Sequence, residues 1–143
     1  MQLTLYHMLD QPPTEAPCIF VLEPDDDVRP ALRDNLHHWG YQVIIAIDEE
    51  DALQRAQGGR KPFNLILLSQ SGQSIDELMA IGRSIRQSTE MGSQTPILVM
   101  ADDYGADLEG RDIQIGEHEY VTYLEDGEQL KGILQQLCPL REG

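Results

Sequence analysis

Five short apolar runs recur along this chain, separated by segments in which apolar residues return every three or four positions. The runs are Cys18–Leu22, Gln42–Ile47, Asn64–Leu68, Pro96–Met100 and Tyr120–Tyr123. Continuous apolar character without alternation marks strands buried on both faces. After the first run, Val28, Leu32, Leu36 and Trp39 keep helical spacing, Pro30 falls in the tolerated first turn, and Gly40 ends the helix. Asp48 caps a second helix with Ala52, Leu53 and Ala56 inward, stopped by Gly58 and Gly59. Ser74 and Glu77 have capping-box spacing and open a third helix with Leu78, Ile81 and Ile85 on one face. Asp126 caps the last helix, which turns Leu130, Ile133, Leu134 and Leu137 inward and ends before Pro139.

One segment breaks this rhythm. Between Asp102 and Glu117 the glycines Gly105, Gly110 and Gly116 divide the chain, and Ile113-Gln114-Ile115 alternates as an extended segment does. A helix here is expected to be short or irregular. Residues 1–17, with Pro12, Pro13 and Pro17, read as a mobile tail whose apolar stretch Leu3–Met8 could dock on the domain or on a partner. The expected organisation is therefore an N-terminal tail over 1–17, one domain over 18–138 and a C-terminal tail over 139–143.

Buried strands alternating with amphipathic helices predict an α/β fold with a parallel sheet covered on both faces. In such sheets a site lies beyond the carboxyl ends of the strands, here after Leu22, Leu68, Met100 and Val121. Length and composition fit one domain, at 143 residues and 41% hydrophobic content. The formal net charge of −15 argues against nucleic acid as a direct partner. Cys18 and Cys138 form no CxxC pair, so they are expected as buried or semi-buried thiols, without metal, in a reducing cytoplasm. No apolar run has the length of a membrane span, and Met1–Tyr6 lacks the basic region of a signal peptide.

Several pieces of the chain resemble the receiver domains of bacterial response regulators in two-component phosphorelay systems. They are Ile19–Asp25 leading to Val28-Arg29, Trp39–Val43, Pro62–Ser69, Thr95–Met100 and Glu119-Tyr120-Val121, in that order. The resemblance spans Cys18 to Leu137. It implies the CheY-like, flavodoxin-like doubly wound sheet of five strands in the order 2-1-3-4-5, here with an irregular or shortened fourth helix. It also implies a set of chemical roles. An acid pair after the first strand holds Mg²⁺, an aspartate ending the third strand accepts the phosphoryl group, and a hydroxyl and a lysine contact its oxygens. On this chain the acid pair falls on Glu23 and Pro24, the acceptor on Ser69, the hydroxyl on Ala101 and the lysine on Tyr123. The proline usually following that lysine falls on Leu124. Only Glu23 keeps its role, so the reaction is expected to be absent.

The remaining candidates have ordinary readings beside their sharper ones. Ser69 reads as a solvated loop serine before it reads as a kinase target. Glu23 with Asp25, Asp26 and Asp27 could hold a divalent cation, but helix capping and surface charge are the simpler expectation. His37 and His38 point in different directions on a helix, and His118 stands alone before the fifth strand. Tyr120 matches the aromatic position that turns with activation in the family, or is a half-buried strand tyrosine. Tyr120, Tyr123 and Leu124 mark a possible interaction face. The leading expectation is a non-catalytic pseudo-receiver with no cofactor, acting on a protein partner: a kinase, a regulator or its own copy. The alternative is a small-ligand sensor using a crevice among Pro24, Ala101, Tyr123 and Leu124. A hydrolase or transferase on the same fold lacks any visible paired nucleophile and base.

Overall fold

The computed structural model describes residues 16–59, 62–89 and 94–140; the expected tail up to residue 15 and the last three residues lie outside them. The elements in chain order are β1 (Cys18–Leu22), α1 (Val28–His38), β2 (Gln42–Ala46), α2 (Glu49–Gly58), β3 (Leu65–Ser69) and α3 (Ile75–Gln87). They continue as β4 (Ile97–Met100), β5 (Asp112–Gly116), β6 (Glu119–Thr122) and α4 (Gly127–Leu137). One sheet holds all six strands in the order β2-β1-β3-β4-β6-β5. Every pairing is parallel except that of β5 with β6.

The α/β class with its largely parallel sheet is as the apolar runs predict, and the parallel strands take the doubly wound order that the receiver resemblance implies. Residues 102–117 correct the expectation of five strands and a shortened fourth helix: this segment supplies a sixth strand and no helix. Three glycines remove helical propensity there, and the β-branched Ile113 and Ile115 favour an extended backbone. The chain turns back between Gly116 and Glu119, with His118 in the left-handed region at φ 77° and a register shift between Gln114 and Gly116. A residue with a Cβ tolerates that conformation less well than glycine, so the hairpin is held by its pairing with β6.

Alternate strand residues feed two cores. Phe20, Leu22, Ile66, Leu68, Ile97 and Val99 pack with Ala52 and Ala56 of α2 and Leu78, Met79 and Ile85 of α3. On the other face Ile19, Val21, Leu65, Leu67 and Leu98 pack with Leu32 and Leu36 of α1 and Leu130, Ile133 and Leu134 of α4. The caps expected at Asp48, Ser74 and Asp126 form, each side chain accepting the N–H three residues on. Tyr41 is fully buried in the second core, and its hydroxyl donates to the Cys138 carbonyl at 2.8 Å. Burial first, and then Cys138, holds the Tyr41 phenol far above its ordinary pKa. Burial, with a smaller effect from Cys18, pushes the Cys138 thiol up to about 11, so this buried thiol is unreactive. Leu140 continues past α4 and lies over Gly40, so the first residues beyond the last helix pack on the domain.

Helix α3 is fastened to the sheet at Glu119, which opens β6. Its carboxylate takes two bonds from Arg83, at 2.7 and 2.6 Å, with Arg86 at 3.6 Å. The Arg83 hydrogen bond is the main cause that holds the Glu119 carboxyl below its usual range. A depressed folded pKa contributes stability that is present above the unfolded value and lost as pH falls through the folded one. Glu119→Gln is therefore expected to cost about 1 kcal/mol at neutral pH, discounted because Arg83 is half exposed, and to cost less at acid pH, where Glu119 takes up its proton. Urea melts of both proteins at neutral and at acid pH check it.

Candidate functional site

The carboxyl ends of β1, β3, β4 and β6 bring Glu23, Ser69, Ala101 and Tyr123 to one end of the sheet. Glu23 extends the β1–β2 pairing, its N–H donating to the Ala46 carbonyl at 3.1 Å. Its side chain turns inward and is 6% exposed. Ser69, the last residue of β3, donates its hydroxyl to Glu23 Oε1 at 2.6 Å. The other oxygen, Oε2, accepts the Asp25 N–H at 3.2 Å. A buried carboxylate needs such donors, and here the serine supplies the buried one. Ser69 is thus a buried strand residue, 8% exposed, which corrects its reading as a solvated loop serine.

The acidic run after β1 is organised differently from a simple cap. Asp27 occupies the N-cap of α1 in a helical backbone conformation and makes no side-chain capping bond. Asp25 does the local work: its carboxylate accepts the Asp27 N–H at 2.8 Å, and its carbonyl accepts from Val28 and Arg29. Arg29 is a site residue that sequence reasoning missed. Its Nη1 donates to the Glu23 carbonyl at 2.8 Å, and Nη2 pairs with the Asp26 carboxylate. The same guanidinium adds to the forces lowering the Asp51 carboxyl pKa, of which the Ile47 N–H bond is the largest. A cation at this end of the sheet therefore comes from α1, and its signal in the sequence is an arginine two residues beyond an acidic run.

Ala101 is half-buried against the core under α2 and α3, and its N–H donates to the Thr122 carbonyl at 3.0 Å. Gln70, also missed, ties the neighbouring loops: its N–H reaches the Met100 carbonyl, its Oε1 accepts from Asp102, and its Nε2 donates to Gln73. Tyr123 packs on the same side as Ala101, with its ring edge-on to Tyr104 at 5.4 Å between centroids. The Tyr104 hydroxyl donates to the Leu124 carbonyl. Leu124 and Tyr120 pack toward the opposite core, beside α1 and α4. Pro24 is exposed. Ala101 and Tyr123 thus share one side of the sheet, while Leu124 joins Tyr120 on the other.

A divalent cation of the kind the receiver resemblance implies does not fit these residues. Both Glu23 oxygens accept hydrogen bonds, the Pro24 side chain offers no ligand atom, and the Ser69 hydroxyl points its proton at the carboxylate. Asp25, the second metal candidate, spends an oxygen on Asp27. Among the described residues no three His, Cys, Asp or Glu side chains converge as metal ligands. The pairing of a serine with a carboxylate does join a hydroxyl to a basic group, which the sequence did not show. A carboxylate is too weak a base to ionise a serine hydroxyl, so the bond positions the hydroxyl and does not activate it.

No protein-family model matches this sequence. Comparison with curated proteins also returns no match. Among solved structures the chain is similar to the receiver protein of a Sinorhizobium medicae response regulator, at 15% identity and TM-score 0.63, covering 91% of this chain and all of that one. It is similar to the Vibrio cholerae chemotaxis protein CheY4, at 19% identity and TM-score 0.62, covering 85% of this chain and 98% of that one. It is also similar to the Thermotoga maritima response regulator TrrA in complex with Mg²⁺ and beryllofluoride, at 22% identity and TM-score 0.61, covering 85% and 98%. The fold is that of a CheY-like response-regulator receiver domain.

Proposed function

We propose that this chain is a non-catalytic pseudo-receiver that acts in signal transduction through phosphorylation-independent contact with a protein partner. The observation that supports it most is the Ser69–Glu23 hydrogen bond. Where the receiver fold would present an acceptor carboxylate beside a bound cation, this chain has a neutral hydroxyl locked onto its one remaining acid. A serine hydroxyl cannot form an acyl phosphate, Ala101 has no oxygen to contact a phosphoryl group, and Tyr123 has no cation to offset one. The partner is a kinase, a regulator or a second copy. The net charge of −15 disfavours nucleic acid. A place in the cytoplasm fits two buried thiols, and no helix among the described residues is long and apolar enough to cross a membrane. The small-ligand reading gains nothing from the geometry, because its four residues are an exposed proline and side chains divided between the two sides of the sheet.

Chemical silence is the test. Incubation with acetyl phosphate and Mg²⁺ is expected to leave the intact mass unchanged, and beryllofluoride with Mg²⁺ to leave the amide spectrum unchanged. A stoichiometric phosphoryl adduct at the carboxyl end of the sheet would falsify the reading.

A further inference from the structure

We infer that the outer edge of β5 is a docking site for an extended, basic segment of a partner protein, which adds to the sheet as a seventh strand. This rests on the reading above and names the surface that carries the contact. The backbone geometry comes first. Tyr123 exchanges hydrogen bonds with Gly110 and Arg111, while the Thr122 carbonyl accepts from Ala101 on the opposite side. Alternation along β6 therefore directs Val121 toward β5, where Ile113 stands opposite it. Its neighbours Asp112 and Gln114 then turn their N–H and C=O groups away from the sheet. Such a row of outward donors and acceptors is a template for one more strand.

The two edges of this sheet differ. Strand β2, at the far edge, packs under α1 and α2, whereas β5 packs chiefly on β6. Ile115 is 47% exposed, so the β5 edge also offers apolar surface. The start of the strand is held in place, because Asp112 Oδ1 accepts from the Thr122 hydroxyl at 2.6 Å and from Gln129 Nε2 at 2.9 Å. A held edge loses little entropy when a partner strand arrives.

Charge selects the occupant. Asp102, Asp103, Asp107, Glu109, Asp112 and Glu117 are all exposed, and the same stretch holds one arginine, Arg111. A second copy would bring the same acids against themselves. A strand carrying lysine or arginine alternately with apolar residues meets them with opposite charge.

The experiment uses a fluorescent peptide alternating lysine and valine, titrated against the full chain at low salt. Binding is expected, with slowed exchange of the Asp112 and Gln114 amides and weakening as salt rises. Gln114→Pro removes an N–H that lies outside the ladder, so the fold survives, and it is expected to weaken binding about tenfold. Ile115→Lys, on an exposed side chain, is expected to weaken it as well, and a glutamate–valine peptide not to bind. Peptide affinity unmoved by both substitutions, or exchange slowed elsewhere than β5, overturns the proposal. A dimer in sedimentation that Gln114→Pro dissociates makes a second copy the occupant and also overturns it. Each titration is repeated after acetyl phosphate and Mg²⁺. Binding seen only after that treatment defeats the phosphorylation-independent reading and leaves the edge site standing; no binding in either arm defeats the edge site alone.

Discussion

Ser69→Asp, which restores an acceptor carboxylate to the sheet, is expected to destabilise the protein by about 2–4 kcal/mol at neutral pH. The Ser69 hydroxyl lies 2.6 Å from Glu23 Oε1, and both residues are more than nine-tenths buried. A carboxylate introduced there meets another at contact distance, and two such groups cannot both ionise. Either the pair holds a proton at neutral pH or the strand ends separate. A retained proton means a folded pKa raised above the unfolded value of about 4. Stability from such a group is fully present below the unfolded pKa and lost as pH rises through the folded one. The penalty should therefore be small near pH 4 and largest at pH 7 and above. The double variant E23Q/S69D separates repulsion from mere misfit. A neutral amide at position 23 removes the like-charge pair, so the double variant should melt well above Ser69→Asp alone. Equal melting temperatures for the wild type and Ser69→Asp at pH 7 would show that the strand ends do not approach as described.

That pair also marks the boundary of what the sequence could disclose. The strands were readable because a strand covered on both faces is a continuous apolar run, as in Ile19–Leu22 and Leu65–Leu68. The caps at Asp48, Ser74 and Asp126 were readable because donor and acceptor lie three residues apart. Asp27 shows the limit of that rule, since an acid at a helix start need not cap when its neighbour Asp25 takes the local N–H groups. Ser69 and Glu23 are 46 residues apart, and nothing local to either announces the other. Their meeting follows from β1 and β3 being neighbours in register, with Leu22 opposite Leu68. Arg29 was hidden for a related reason: its guanidinium reaches back past the acidic run to the Glu23 carbonyl, a contact that residue type alone does not specify. The extended character of Ile113–Ile115 was visible, but not that it would turn back on β6, because pairing is a tertiary choice.

The loss of a helix between β4 and β6 bears on how this face is covered. Val121 is 1% exposed although no helix lies between β4 and β6 in the chain. Part of the cover comes from the loop before β5, where Tyr104 packs on Tyr123 and bonds to Leu124. A polar, acidic loop and a hairpin thus replace an amphipathic helix. The sheet keeps its core while the surface beside β6 gains a strand edge.

The close seat of α3 on the sheet gives a second large expected effect, at Gly82. A Cβ at this position would stand 2.8 Å from Ile97 Cγ2 and 2.9 Å from Leu68 Cδ1. Both neighbours are fully buried in the core, and the β-branched Ile97 has little freedom to withdraw its methyl. The glycine is what lets the helix approach β3 and β4, whose ends carry Ser69 and Met100. Replacement by alanine sets about 1 kcal/mol of helix propensity against an overpacking cost of about 1–3 kcal/mol. Gly82→Val adds two more methyl groups and loses most of the propensity gain, so about 2–4 kcal/mol of destabilisation is expected. Gly132 in α4 is the matched control, because a Cβ there meets nothing within 4 Å. Gly132→Ala should stabilise by up to about 1 kcal/mol. Thermal melts should move in opposite directions, by about 4 °C for each kcal/mol. A Gly82→Val protein that melts with the wild type would mean that α3 rides higher on the sheet, and that Arg83 and Arg86, not the packing beneath them, set its distance from β6.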